Sequence, residues 1–214
     1  MLLEKSAIDL ILEFEGLDQP SRWPKFASGI TLGHGYDLGY CSAAEFERDW
    51  SRHLGASEIS RLKTAIGKKG AAAGAIASNY RGIVITKAAA AEVFARATLP
   101  KFILATQNAF HGSEWFPPAA FGALVSLVFN RGASMTQPSL DKRREMRAIR
   151  DCIAKWVATS PTTREATMRP VLLTIAAQIR SMKRLWPARS DSDRDLTDRR
   201  EAEAKLIEFA AAKL

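Results

Sequence analysis

The sequence predicts an α+β fold that is mostly helical, with one small strand region. Three observations lead there. Helix-forming residues fill most of the 214 positions, whereas alternating runs rich in Val, Ile and Thr are few. A single glycine-punctuated stretch, residues 29–37 (GITLGHGYD), alternates apolar and polar residues in the manner of a half-buried strand. Residues 119–132 (AAFGALVSLVFNRG) are apolar nearly all round, which suits a helix at the centre of a core.

The first helix carries the first candidate group. Ser6 is a suitable N-cap, and Asp9 favours the positive helix end. Ile8, Ile11, Leu12 and Glu15 recur along one helix face, and Gly16 offers a C-cap. At about 100° per residue, Glu15 falls within the apolar arc and Glu13 on roughly the opposite side. An acid drawn towards apolar surface at a negative helix end is disfavoured in its charged form, which suits a general acid. Residues 17–28 form a Pro-rich connector, in which Trp23 either packs or presents its ring to a ligand.

The strand carries Thr31 and Asp37. Six extended residues would hold them roughly 20 Å apart. They share a site only if the chain turns between them, and Gly33 and Gly35 permit that turn. A helix-borne acid, a hydroxyl and a second acid would then supply a proton donor, a water holder and a base.

Residues 43–54 read as a helix with Ala44, Phe46, Trp50 and Leu54 on its apolar side and His53 at the surface. Residues 55–79 predict one or two short helices joined at Gly67 to Gly70. The Gly-Lys-Lys-Gly run there lacks the spacing and the Ser/Thr of a P-loop. Thr86 caps the next helix, which Pro100 is expected to end, and residues 101–111 continue separately. Pro117-Pro118 opens the apolar helix. Residues 141–157 are amphipathic, with Met146, Ile149, Ile153 and Trp156 inward and the arginines on a solvated face. A new helix starts after Ser160, residues 166–186 and 195–209 are helical, and 187–194 form a polar loop. The sequence contains no internal repeat and no long linker.

Phe14-Glu15-Gly16 followed by GITLGHGYDLG at 29–39 resembles the phage-type lysozymes of the T4 lysozyme superfamily. The pattern is closest to the pesticin-like muramidase branch, in which the second acid follows the threonine. ITKAAAAEVF at 85–94, the apolar helix with its Phe-Asn-Arg-Gly ending, and the segments at 174–186 and 195–209 resemble later parts of that family in the same order. The resemblance implies one lysozyme-like catalytic domain over 1–214. A small hairpin-bearing lobe would span about 16–85, and 1–15 with 86–214 would form a helical lobe around the buried helix. It implies Glu15 as general acid, Thr31 and Asp37 positioning and activating water, and Trp23, His34, Tyr36 and Asn130 contacting substrate, without metal or cofactor. In the T4-like branch the second acid precedes the threonine, at the place of Lys25 here. Asp18, the nearby upstream acid, is out of register.

Composition bounds the partners. A net charge of +8 and a pI near 9.7 favour polyanions, among them peptidoglycan-bearing walls, anionic envelope lipid and lipopolysaccharide, although a spread surplus also serves solubility. No zinc-finger spacing, RNP motif or helix-turn-helix signature supports specific nucleic-acid binding. Cys41 and Cys152 are too few and too far apart for a zinc or redox motif and are expected as free thiols. Acids interrupt the N-terminal apolar segment, so it does not read as a signal peptide, and no run approaches the ~20 apolar residues of a membrane helix. The expectation is a monomer made in a bacterial host cytoplasm. It would reach the periplasm through a holin pore as a phage endolysin, or by injection as an antibacterial effector. A non-hydrolytic wall-binding relative is the binding-module alternative. A lytic transglycosylase, which uses one acid and leaves a 1,6-anhydro end, is the enzymatic rival that the Thr31/Asp37 pair argues against.

Overall fold

The computed structural model describes residues 3–136, 139–187 and 190–214. It is mostly helical, with one two-stranded antiparallel sheet. The chain divides into two compact units, one formed by Glu15–Lys101 and the other by Met1–Phe14 together with Phe102–Leu214.

Helix α1 (Lys5–Phe14) opens the second of these units. It begins at Lys5, so Ser6 lies in its first turn instead of capping it. It closes at Phe14, so Glu15 follows the helix and starts the other unit.

In the Glu15–Lys101 unit, strands β1 (Thr31–Leu32) and β2 (Tyr36–Asp37) precede α2 (Ala43–Trp50), α3 (Ala56–Lys63) and α4 (Ala71–Ile76). Helix α2 starts in a capping box: the Ser42 hydroxyl accepts from Glu45 N, and the Glu45 carboxylate accepts from Ser42 N at 2.9 Å. Phe46, Trp50 and Leu54 enter a core shared with Leu38, Leu62 and Tyr80, whereas Ala44 is exposed. His53 is half-buried, edge-on to Trp50, with Nε2 3.6 Å from Glu92. It does not sit at the surface, because the end of α2 packs against the chain around Glu92.

Thr86 caps α5 (Lys87–Val93), accepting from Ala89 N as its position predicts. Pro100 does not end this segment. A π turn over Phe94–Thr98 leads directly into α6 (Leu99–Ala109), with Leu99 N–H reaching back to Phe94 O. A proline ring in a regular α-helix collides with the carbonyl four residues earlier and has no N–H to give, and a widened turn ahead of it relieves that conflict. Ala90, Val93 and Ala97 are buried in the strand-bearing core, within the unit that runs to Lys101.

The other unit is built round α7 (Pro118–Arg131), in which every residue from Ala119 to Val128 is buried. Gly122 lets α1 approach closely, since a Cβ there would lie 2.2 Å from that of Ala7. Helices α8 (Arg144–Val157), α9 (Pro161–Ser181) and α10 (Asp191–Ala211) complete it, with Met146, Ile149, Ile153 and Trp156 inward as predicted. Arg143 departs from the expected solvated face: it is buried and donates to the Arg131 and Gly132 carbonyls. In the predicted polar loop 187–194, residues 188 and 189 lie outside the described residues, and the chain is helical from Asp191. Residues 1 and 2 of the segment tested for a signal peptide also lie outside them. Among the described residues no helix is long and apolar enough to cross a membrane, and both cysteines are free.

Candidate functional site

Strands β1 and β2 pair with Thr31 opposite Asp37 and Leu32 opposite Tyr36. The connecting Gly33 and Gly35 take φ of 60° and 75°, values that strain any residue with a side chain. Directly opposed residues of an antiparallel pair share a face. The glycine turn therefore sets Thr31 and Asp37 side by side.

Asp18 lies on the other edge of β1. Its N–H donates to Gly33 O at 2.8 Å, and Gly33 N–H donates back to Asp18 O at 2.9 Å. Paired with Gly33, Asp18 thus sits beside the hairpin turn, near enough to Asp37 for the two charges to act on each other. Burial, and then the charge of Asp37, push the Asp18 carboxyl up to about 6. Local spacing set Asp18 aside, and only the long-range pairing with Gly33 reveals its place.

Asp37 is locked by its own side chain. Both carboxylate oxygens accept from Gly29 N at 3.0 Å, and Oδ1 also accepts from Gly39 N at 2.7 Å, capping the short turn Leu38–Tyr40. Glycine is required at 29 by space, since a Cβ there would lie 2.4 Å from Asp37 Oδ1. Glu15 is half-buried directly after α1. The residue after it, Gly16, accepts at its carbonyl from His34 Nδ1 at 3.2 Å. The segment from Glu15 to Asp18 is in this way fastened twice to the hairpin turn.

The expected substrate contacts fare differently. His34 is buried, with its ring edge-on to Phe94. Tyr36 is buried as well, its hydroxyl donating to Asp49 Oδ2 at 3.0 Å and its ring edge-on to Trp50. Burial, followed by Cys41 and Asp49, pushes the Tyr36 phenol above its ordinary range. Neither ring offers a surface to a sugar: Tyr36 belongs to the core of this unit, and His34 is held between Gly16 O and Phe94. Trp23 donates from its indole N–H to Ser28 O at 2.9 Å and packs its ring on Gly74 of α4. Asn130 lies in α7, in the unit that does not contain the hairpin.

No protein-family model matches the chain, and no curated protein matches its sequence. The residues themselves therefore carry the reading. Among the described residues no group of three or more His, Cys, Asp or Glu is placed to hold a metal ion. A recess of about 420 Å³ in the α7 unit is lined mainly by apolar residues such as Leu3, Pro117 and Phe209, with Glu4 and Lys213 as its ionisable members, and has no paired acids. The hairpin and the segment bridged to it, by contrast, bring together a hydroxyl and two carboxyls, one of them raised to about 6. Such a set can hold and deprotonate a water.

Proposed function

We infer that the chain is a muramidase, hydrolysing the β-1,4 bond between N-acetylmuramic acid and N-acetylglucosamine in peptidoglycan. The observation that carries this reading is the cross-strand placement of Thr31 against Asp37, on a segment fastened close to Glu15. The resemblance of residues 14–39 to phage-type lysozymes supports it, and so does a basic chain suited to an anionic wall.

Glu15 gives its proton to the leaving oxygen as the bond gains oxocarbenium character. Thr31 and the acids beside it hold the water that attacks the opposite face. An inverting course needs carboxyls about 6.5–9.5 Å apart to leave room for that water. The setting we infer is host lysis by a phage endolysin, for which a neighbouring holin gene is expected; secretion-system genes in that place would make the chain an injected effector.

Glu15→Gln keeps the shape and removes the acid. Reducing-end release from purified sacculi is expected to fall about 10²–10⁴-fold, and undiminished release would rule the reading out. Mass spectrometry of wild-type products is expected to show reducing N-acetylmuramic acid ends; 1,6-anhydro ends would make the chain a transglycosylase.

A further inference from the structure

Asp18 and Asp37 flank the strand that carries Thr31, one on each edge, but are held in opposite ways. Asp37 commits both carboxylate oxygens to backbone amides of Gly29 and Gly39, which leaves little lone-pair capacity for a water. Asp18 is held by its main chain, through the two bonds to Gly33. Among the described residues no hydrogen bond occupies its carboxylate oxygens, and burial and the Asp37 charge are what act on it.

We propose that Asp18 is the base of the reaction, taking the proton of the water held at Thr31, while Asp37 is a positioning residue that builds the turn. This rests on the muramidase reading. In the step, the water oxygen bonds to the anomeric carbon and the glycosidic C–O bond breaks. Glu15 gives its proton to the leaving oxygen, and Asp18 takes one from the water. Glu15 ends ionised and Asp18 protonated, and exchange with solvent restores both. A base in this position must be ionised near neutral pH and still bind a proton well. Asp18 meets both needs through its half-buried position and the negative Asp37 on β2, across the strand that carries Thr31; Gly33, its backbone partner, adds no charge.

The test uses Asp18→Asn and Asp18→Ala in the full chain, assayed on purified peptidoglycan with and without sodium azide. kcat is expected to fall about 10²–10⁴-fold with KM little moved. Azide is expected to restore turnover in Asp18→Ala and yield a glycosyl azide of inverted configuration, because an anionic nucleophile needs no base. Lost activity that azide leaves unrestored, or an Asp18→Asn variant equal to wild type, overturns the proposal. If Asp18→Ala does not fold, the isosteric Asp18→Asn carries the test: its residual kcat/KM profile must lose the acidic limb that wild type shows, and a retained limb overturns the proposal. Glu15→Gln separates the two failures. If it is inactive while the Asp18 variants are not, only the assignment of Asp18 falls; if it is fully active, the muramidase reading falls with it.

Discussion

In the unit built round α7, buried acids sit against arginines. Glu203, fully buried in α10, accepts from Arg200 Nη2 and from Ser126 Oγ, each at 2.7 Å. Glu145 in the first turn of α8 accepts from Arg184 Nε at 2.6 Å. Burial alone would raise the Glu145 carboxyl, but the bond from Arg184 and the charges around it carry it below the usual range. In the hairpin unit, burial and then the like charge of Asp37 move the Asp18 carboxyl the opposite way, to about 6. An acid neutralised by arginine is fixed in one form and serves architecture. An acid facing a like charge is poised between two forms, which is what proton transfer needs.

The comparison is broken most severely at Glu203. Glu203→Gln leaves Arg200 buried without its counter-charge, and a loss of about 3–5 kcal/mol is expected in urea unfolding. A loss close to zero would mean that other groups balance Arg200, and the contrast between the units would lapse. Gly29→Ala comes next. Its Cβ would press on the Asp37 carboxylate and on Gly39, so a cost of about 1–3 kcal/mol and a fall in wall lysis are expected together. Wild-type stability and lysis in that variant would show that the backbone there yields freely.

The smallest effect has the most telling sign. The folded chain keeps the Asp18 proton up to about pH 6, and the unfolded chain only to about its ordinary 3.8. Between those values the folded state binds more protons, so stability falls as pH rises through the window, and the full penalty applies above it. Asp18→Asn removes the penalty. The gain at neutral pH is at most about 3 kcal/mol, and about 1 kcal/mol once solvent screening of a partly exposed group is counted. Thermal melts across the window are expected to converge at its acidic end and separate towards neutrality; a variant less stable than wild type at neutral pH would contradict the like-charge contact.

Local signals in the sequence carried much of the helical framework. Thr86 caps α5, the apolar ring of α7 is buried, and the inward stripe of α8 packs as its spacing requires. Thr31 and Asp37 were also legible, because Gly33 and Gly35 mark where the chain reverses. What local spacing missed depends on distant partners. Asp18 gains its place only by pairing with Gly33, and Arg143 is drawn inward by carbonyls at the end of α7. The resemblance sets His34 and Tyr36 against substrate, whereas both share the parity of Ile30 and Leu32 and are buried with them. Pro100 reads as a stop, and only the π turn ahead of it explains why the helix continues.

The ladder at position 18 uses an amide and a carbonyl, groups that every residue except proline supplies. At position 37 the fold is written into the carboxylate itself, so changing the side chain dismantles the turn. Reactivity can therefore be exchanged at 18 without rebuilding the scaffold. With Asp18 as the base of a muramidase, as proposed, a serine or glycine there, supplied with an activated sugar fluoride in place of polymer, would turn hydrolysis into the joining of glycans.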